Sequence, residues 1–129
     1  MVEDRTTDGR RLAELLSSEI HGRDSGPLGR LSVADADPDV EPDEFGAYAY
    51  AVALDGERVA EVAVHPDRIH AAFAHGVEAA VAAGGDAGLR VRPKAVEPPR
   101  TLVFAEDGAE VKRLTDVFVA VVESLDAPE

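Results

Sequence analysis

The segment from Phe45 to Val64 constrains the fold most strongly, because two strand-like runs meet there at Asp55-Gly56. In the first run small and large side chains alternate, which is typical of a strand with two different faces. Asp-Gly is a strong signal for a type I′ turn, since both central residues of that turn need positive φ. The segment therefore predicts a β-hairpin. Its expected pairs are Leu54 with Glu57, Val52 with Val59, Tyr50 with Glu61, and Tyr48 with Ala63.

The two faces of this hairpin differ in side-chain size. In the predicted register the flatter face consists of Ala47, Ala49, Ala51, Ala53, Ala60, Val62 and Val64. The opposite face carries the larger apolar side chains, which are Tyr48, Tyr50, Val52, Leu54 and Val59. Such a patch must be covered either by this chain or by a partner, and tyrosine is enriched at interfaces. The second alternative predicts an interface at these residues and a homodimer.

A helix is predicted directly after the hairpin, beginning at Pro66. Proline is favoured at the first helical position, and Asp67 beside it suits the positive end of the helix dipole. The apolar residues that recur at helical spacing are Ile69, Phe73 and Val77. Gly84-Gly85 then provides the stop. An alanine-rich helix on the alanine face of the hairpin would permit close packing, and the sequence leaves open which face the helices cover.

Two further helices and further strands are predicted on either side of this central part. Helices are expected at residues 10–21 and from 107 towards the chain end, a brief strand at 31–33, and a second hairpin at 89–92 and 101–104. Asp8 is placed to cap the first helix, and Asp107 with Glu110 has the spacing of a capping box at the last.

Residues 34–44 contain six acidic residues, two prolines and no basic residue, which predicts an acidic linker loop. Residues 1–7 are expected to be disordered. The remaining order, α-(β)-β-β-α-β-β-α, predicts a single α+β domain over residues 8–126. Its architecture should be a two-layer sandwich with three helices and a mainly antiparallel sheet of four or five strands.

The charge composition indicates an unusual solvent. The chain has 13 basic and 26 acidic residues and a net charge of −13, and the basic residues are almost all arginine. This balance resembles that of proteins from extreme halophiles, whose surface carboxylates hold water and counterions while molar salt screens their repulsion. It predicts a halophilic protein that folds in a salt-dependent manner.

Composition also limits the cell compartment and the cofactors. The chain has no cysteine, which excludes disulfides and thiolate metal sites. No run approaches the ~20 apolar residues needed to cross a bilayer, and the first residues form no apolar core segment. We therefore expect a cytoplasmic protein that is not associated with a membrane, and no cofactor is predicted.

A basic cluster stands out against this acidic background. It consists of Arg90, Arg92, Lys94 and Arg100. Strand alternation places the first three on one side. The cluster could bind phosphate, an acidic partner segment or nucleic acid, or it could pair with the domain's own carboxylates or protect a sheet edge. Nucleic acid is disfavoured, because molar salt weakens counterion release and the remaining surface repels phosphate.

The sequence contains no complete motif for catalysis or for binding a metal ion. Histidines at 65, 70 and 75 would lie roughly 140° apart on a helix, whereas helical zinc pairs use i, i+4 spacing. The run from Asp35 to Asp39 begins like a calcium loop but lacks the required glycine and the final glutamate. We therefore expect a non-enzymatic interaction or regulatory domain. The alternative is a small-molecule or phosphate-binding domain, conceivably an enzyme, that uses the basic cluster with a nearby histidine.

Overall fold

The computed structural model describes residues 8–22, 27–94 and 99–126, which form one antiparallel sheet and three α-helices. The elements in chain order are α1 (Gly9–His21), a short 3₁₀ helix (Pro27–Arg30), β1 (Leu31–Ala34), β2 (Ala47–Leu54), β3 (Glu57–Val64), β4 (Ile69–Phe73), α2 (Val77–Asp86), β5 (Arg90–Lys94), β6 (Arg100–Ala105) and α3 (Gly108–Asp126). Within these ranges, six strands lie in the order β1-β2-β3-β4-β6-β5. The predicted α+β class is confirmed, and the described sheet has one strand more than expected.

The helices of the described chain lie on one face of the sheet. α1 contacts this face at Tyr50, whose hydroxyl donates a hydrogen bond to the Ala13 carbonyl oxygen at 2.7 Å. α2 contacts it at Gly84, where an added Cβ would come within 2.6 Å of a Val91 methyl group. α3 packs against both other helices, and the centre of its Phe118 ring lies 4.8 Å from the centre of the Phe73 ring in β4. The core therefore lies between this helical layer and one side of the sheet.

Strand pairing defines which side chains point away from the helices. Val62 in β3 pairs with Ala71 in β4, which pairs with Val103 in β6, and all three are fully buried beneath the helices. Their chain neighbours point to the opposite face, since successive side chains in a strand alternate. No helix in the described ranges covers that opposite face, which we call the open face.

The hairpin forms with the predicted turn, but its register contains two bulges. Asp55 and Gly56 have φ of 52° and 89°, as a type I′ turn requires. The first and last expected pairs form. The pairs between them are instead Val52 with Ala60 and Tyr50 with Val62. Val59 is an extra residue in β3, and Ala49 is an extra residue in β2. The register is therefore shifted by one residue between these two bulges and matches the predicted register on either side of them.

These bulges change the composition of both hairpin faces. The helices cover Tyr50, Val52 and Leu54, whereas Ala51 lies on the open face. The sequence left open which face the helices would cover, and they cover a face that combines Tyr50 and Val52 of one predicted face with Ala60 and Val62 of the other. The larger side chains remove more apolar surface from water when the helices cover them, which favours the observed arrangement.

The predicted helix at Pro66 is also wrong in its first half, where the chain forms β4. The His65 backbone N–H donates to the Arg68 carbonyl oxygen at 2.8 Å, so a tight turn follows β3. Ile69 and Phe73 are fully buried in β4, because a spacing of four residues fits a strand as well as a helix. α2 begins only after Gly76, which has φ of 64°.

The predicted stop at Gly84-Gly85 is wrong, because both glycines lie inside α2, which ends at Asp86. The predicted caps of the first and last helices and the second hairpin agree with the structure. The Asp8 carboxylate accepts the Arg10 N–H at 3.0 Å at the start of α1, and the Asp107 carboxylate accepts the Glu110 N–H at 2.8 Å at the start of α3. The second hairpin forms from β5 and β6. The expectation for residues 1–7 lies outside the described residues. None of the helices in the described ranges has the length and apolarity to cross a bilayer.

Candidate functional site

A cleft of about 500 Å³ lies on the open face. Its lining comes from the segment before β2 and from five strands: Phe45, Gly46, Tyr48, Glu61, Val62, Ala63, His70, Ala72, Lys94, Arg100 and Leu102. Two of the four residues of the predicted basic cluster are among them. The cleft thus combines titratable, cationic and aromatic side chains over the middle of the sheet.

The segment between β1 and β2 shapes one side of this cleft. It contains neither helix nor strand over residues 35–46, and the Asp43 N–H donates to the Val64 carbonyl oxygen at 3.2 Å. Gly46 has φ of 99°, a conformation that favours glycine, and it brings the chain into β2 directly beside His70. Phe45, which is 82% exposed, lies at the rim.

Two histidines form a hydrogen-bonded pair beneath this segment. His65 Nε2 lies 2.8 Å from His70 Nδ1, and His65 Nδ1 lies 2.9 Å from the Glu44 carbonyl oxygen. Both side chains are buried, and the Phe104 ring lies against both imidazoles. The pair exists because the turn after β3 places the end of that strand beside the start of β4.

Burial controls the charge of His70. Burial, together with the smaller effects of the nearby His65, Lys94 and Arg68 in that order, lowers the pKa of His70 to about 4. The ring is therefore neutral at neutral pH. Because His70 also lines the cleft, it offers a neutral imidazole next to cationic side chains.

The basic cluster has no carboxylate partner in the described ranges. Lys94 and Arg100 pair across β5 and β6 and line the cleft. Arg92 is exposed on the same face, and the Arg90 guanidinium carbon lies 6.0 Å from the centre of the Phe104 ring. None of these four forms an ion pair with a described carboxylate. The alternative in which the cluster pairs with the domain's own acids is thus not what the described residues show.

The acidic residue of the cleft is neutralised locally. Glu61 accepts a hydrogen bond from Arg58 at 3.1 Å, and the same guanidinium also binds Asp35. The Tyr48 hydroxyl donates to the Asp35 carbonyl oxygen at 2.8 Å. This wall of the cleft is therefore a closed polar network, and the opposite wall carries Lys94 and Arg100, for which the described residues provide no carboxylate partner.

The predicted interface residues fall on two different faces. Tyr50, Val52, Leu54 and Val59 lie in the core, so this chain itself covers them and the first of the two sequence alternatives holds. Tyr48 points to the open face because the bulge at Ala49 separates it from Tyr50. These four buried residues are therefore not available to a partner, and of the five predicted interface residues Tyr48 alone lies on the open face.

Sequence reasoning missed the histidine pair. It placed His65 and His70 on a helix, where they would diverge, and the strand β4 brings them together instead. His75 is exposed and lies apart, next to a different depression near Leu125. No group of three or more His, Asp or Glu side chains in the described ranges could hold a metal ion.

Comparison with known proteins places the chain in a family without assigning an activity. A family model described as a family of unknown function (DUF7993) matches residues 1–129, so the chain belongs to that family. No curated protein and no solved structure matches it significantly. The function of the chain must therefore be inferred from the geometry of the open face.

Proposed function

We propose that this domain binds a small anionic molecule in the cleft of the open face. The observation that carries the proposal is the position of Lys94 and Arg100, which line the cleft without a described carboxylate partner in a chain of net charge −13. In such a chain acidic residues outnumber basic ones by 26 to 13, so a cation without a carboxylate partner is unexpected. An external anion is the partner that these two side chains suit best.

The other lining groups support a small ligand over a large one. The volume of about 500 Å³ lies within the usual range for small-molecule sites. His70 and Tyr48 contribute polar atoms, and Leu102 and Ala72 contribute apolar surface. Nucleic acid remains disfavoured, because a chain with a net charge of −13 would repel a long polyanion that extends beyond the cleft. We place this binding domain in the cytoplasm of a halophile on the grounds of its composition.

A titration with inorganic phosphate tests the proposal. At a fixed KCl concentration, isothermal calorimetry should detect binding to the wild type, and Lys94→Ala and Arg100→Ala should each weaken it by about tenfold, because each removes a charged hydrogen bond. Lys112→Ala and Arg113→Ala are the matched controls, since both residues are exposed on α3 and give the same change in net charge. Equal affinities for all four variants would contradict the proposal.

A homodimer across the open face is a second candidate. Phe45 is 82% exposed at the cleft rim, and the small, partly exposed side chains of Ala63 and Ala72 in the cleft would allow a close approach. Light scattering at high salt should then give a dimer for the wild type and for Leu125→Ser, an exposed apolar residue of α3, but a monomer for Phe45→Ser. A monomeric wild type would reject this candidate.

A further inference from the structure

The hydrogen bonds of the histidine pair determine where its protons lie. The Glu44 carbonyl oxygen can only accept, so His65 Nδ1 must carry a proton and donate to it. A neutral His65 then has an unprotonated Nε2, which must accept from His70 Nδ1. In the neutral pair, therefore, His70 Nδ1 is the donor and His70 Nε2 carries the lone pair.

This last nitrogen is available to a ligand. His70 Nε2 has no hydrogen-bond partner among the described residues. It is also not fully buried, so it is accessible from the cleft that His70 lines. An acceptor in that position repels the bare oxygen of an anion. It forms a hydrogen bond only with a ligand atom that carries a proton.

We propose that the cleft selects anions that also carry a hydrogen-bond donor, such as hydrogen phosphate, the monoanion of a phosphate ester or a hydroxy acid. Lys94 and Arg100 would hold the charged oxygens, and His70 Nε2 would accept the O–H of the same ligand. This inference rests on the proposed function, to which it adds the chemical class of the ligand. A bare oxyanion of the same size would leave the His70 lone pair facing a second lone pair.

The charges around His70 help to keep its ring in the neutral form. Lys94 on β5 and Arg68 in the turn before β4 act on His70 from two sides, and His65 lies at the end of β3. Arg90 on β5 and Arg100 on β6 add positive charge on the same face. Glu61 on β3 and the Tyr48 hydroxyl on β2 also face the cleft, but Arg58 pairs with Glu61 and Tyr48 donates to Asp35.

A single added proton reverses the selectivity. If the charge lies on His70, both of its nitrogens carry protons. If it lies on His65, the bridging proton has moved to His65 Nε2, and His70 keeps its proton at Nε2. In both states His70 Nε2 becomes a donor, so acidification should allow bare oxyanions to bind.

Sulfate and inorganic phosphate form the matched probes, because they are tetrahedral anions of similar size. At about pH 8 phosphate is mainly a dianion with one O–H, whereas sulfate has none. Calorimetry at a fixed KCl concentration should give sulfate an affinity at least about tenfold lower than that of phosphate, equivalent to about 1.4 kcal/mol. His70→Phe, which keeps an aromatic ring and removes the acceptor, should bring the two affinities together.

The tautomer can be read directly in the wild type, so the test does not depend on a variant that folds. Long-range proton–nitrogen NMR spectra of the imidazoles should show His70 protonated at Nδ1 and unprotonated at Nε2 at about pH 8. A protonated Nε2 there would overturn the inference. Equal binding of sulfate and phosphate would overturn it too but leave the proposed function standing, whereas failure of both anions to bind would overturn both.

Discussion

Gly46 lies so close to His70 that a Cβ at position 46 would come within 2.8 Å of His70 Cε1 and within 3.1 Å of His65 Nε2. The segment that enters β2 needs a glycine at position 46 for two separate reasons. Its φ of 99° strains any other residue, and the space that a side chain would need is occupied by the histidine pair.

Gly46→Ala should therefore lower the free energy of unfolding and also displace the pair. Gly56 is the matched control, since its φ is 89° but nothing lies within 4 Å of an added Cβ. Both variants carry the cost of strain, about 1–3 kcal/mol, and Gly46→Ala adds overpacking of roughly 1–3 kcal/mol. Urea unfolding measures the difference. Equal losses for the two variants would show that the contact with His70 carries no energy.

The parts of the fold that follow from local chemistry could be predicted from the sequence. Asp55-Gly56 determines its own turn because only a few residue types tolerate positive φ at those positions. Asp8 and Asp107 determine helix starts because their carboxylates reach backbone N–H groups a few residues away. These features need no knowledge of the rest of the chain.

The candidate site could be predicted only in part, because it depends on tertiary register. The basic residues of β5 were recognised from their alternation, but the bulge at Ala49, which separates Tyr48 from Tyr50, depends on packing against α1. Ile69 and Phe73 fit both a helix and a strand, and choosing the helix concealed the contact between His65 and His70. An Ile-x-Ala-x-Phe alternation after a Pro-Asp turn was the signal that could have revealed β4.

The two tyrosines should respond differently to loss of their hydroxyl groups. Tyr50→Phe removes a buried hydrogen bond to α1 and should cost about 0.5–1.5 kcal/mol of unfolding free energy. Tyr48→Phe removes a hydrogen bond on the open face, where water can replace the lost partner, and should cost less. Urea unfolding of both variants under the same conditions checks the order. A larger loss for Tyr48→Phe would contradict the assignment of the two faces.

Salt should stabilise the fold by screening its surface carboxylates. Asp39 and Glu41 are exposed in the segment before β2, and neither side chain pairs with a described cation. The unfolding free energy should rise from low to multimolar KCl, where the Debye length falls to about 3 Å. Urea is the suitable denaturant, because guanidinium chloride is itself a salt.

The double variant Asp39→Asn with Glu41→Gln should show a shallower dependence on KCl than the wild type, since it removes two of 26 acidic residues without touching a hydrogen bond of their side chains. Lys112→Ala, which makes the chain more acidic at an exposed site, should show a steeper one. An unfolding free energy that is independent of KCl in the wild type would contradict the halophilic interpretation of the composition.

Acidification should destabilise the fold through His70. Its pKa of about 4 in the folded chain lies below the reference value of 6.5, so between these values the unfolded chain binds more protons than the folded one. The unfolding free energy should therefore fall as the pH decreases through this window, with a slope from this group of at most about 1.4 kcal/mol per pH unit. Below about pH 4 both states are protonated, and the contribution of His70 to the slope ends. His70→Gln should flatten the profile across the same window. An NMR titration of the His70 ring in the wild type gives the pKa directly, and a midpoint at or above 6.5 would show that burial does not hold this ring neutral.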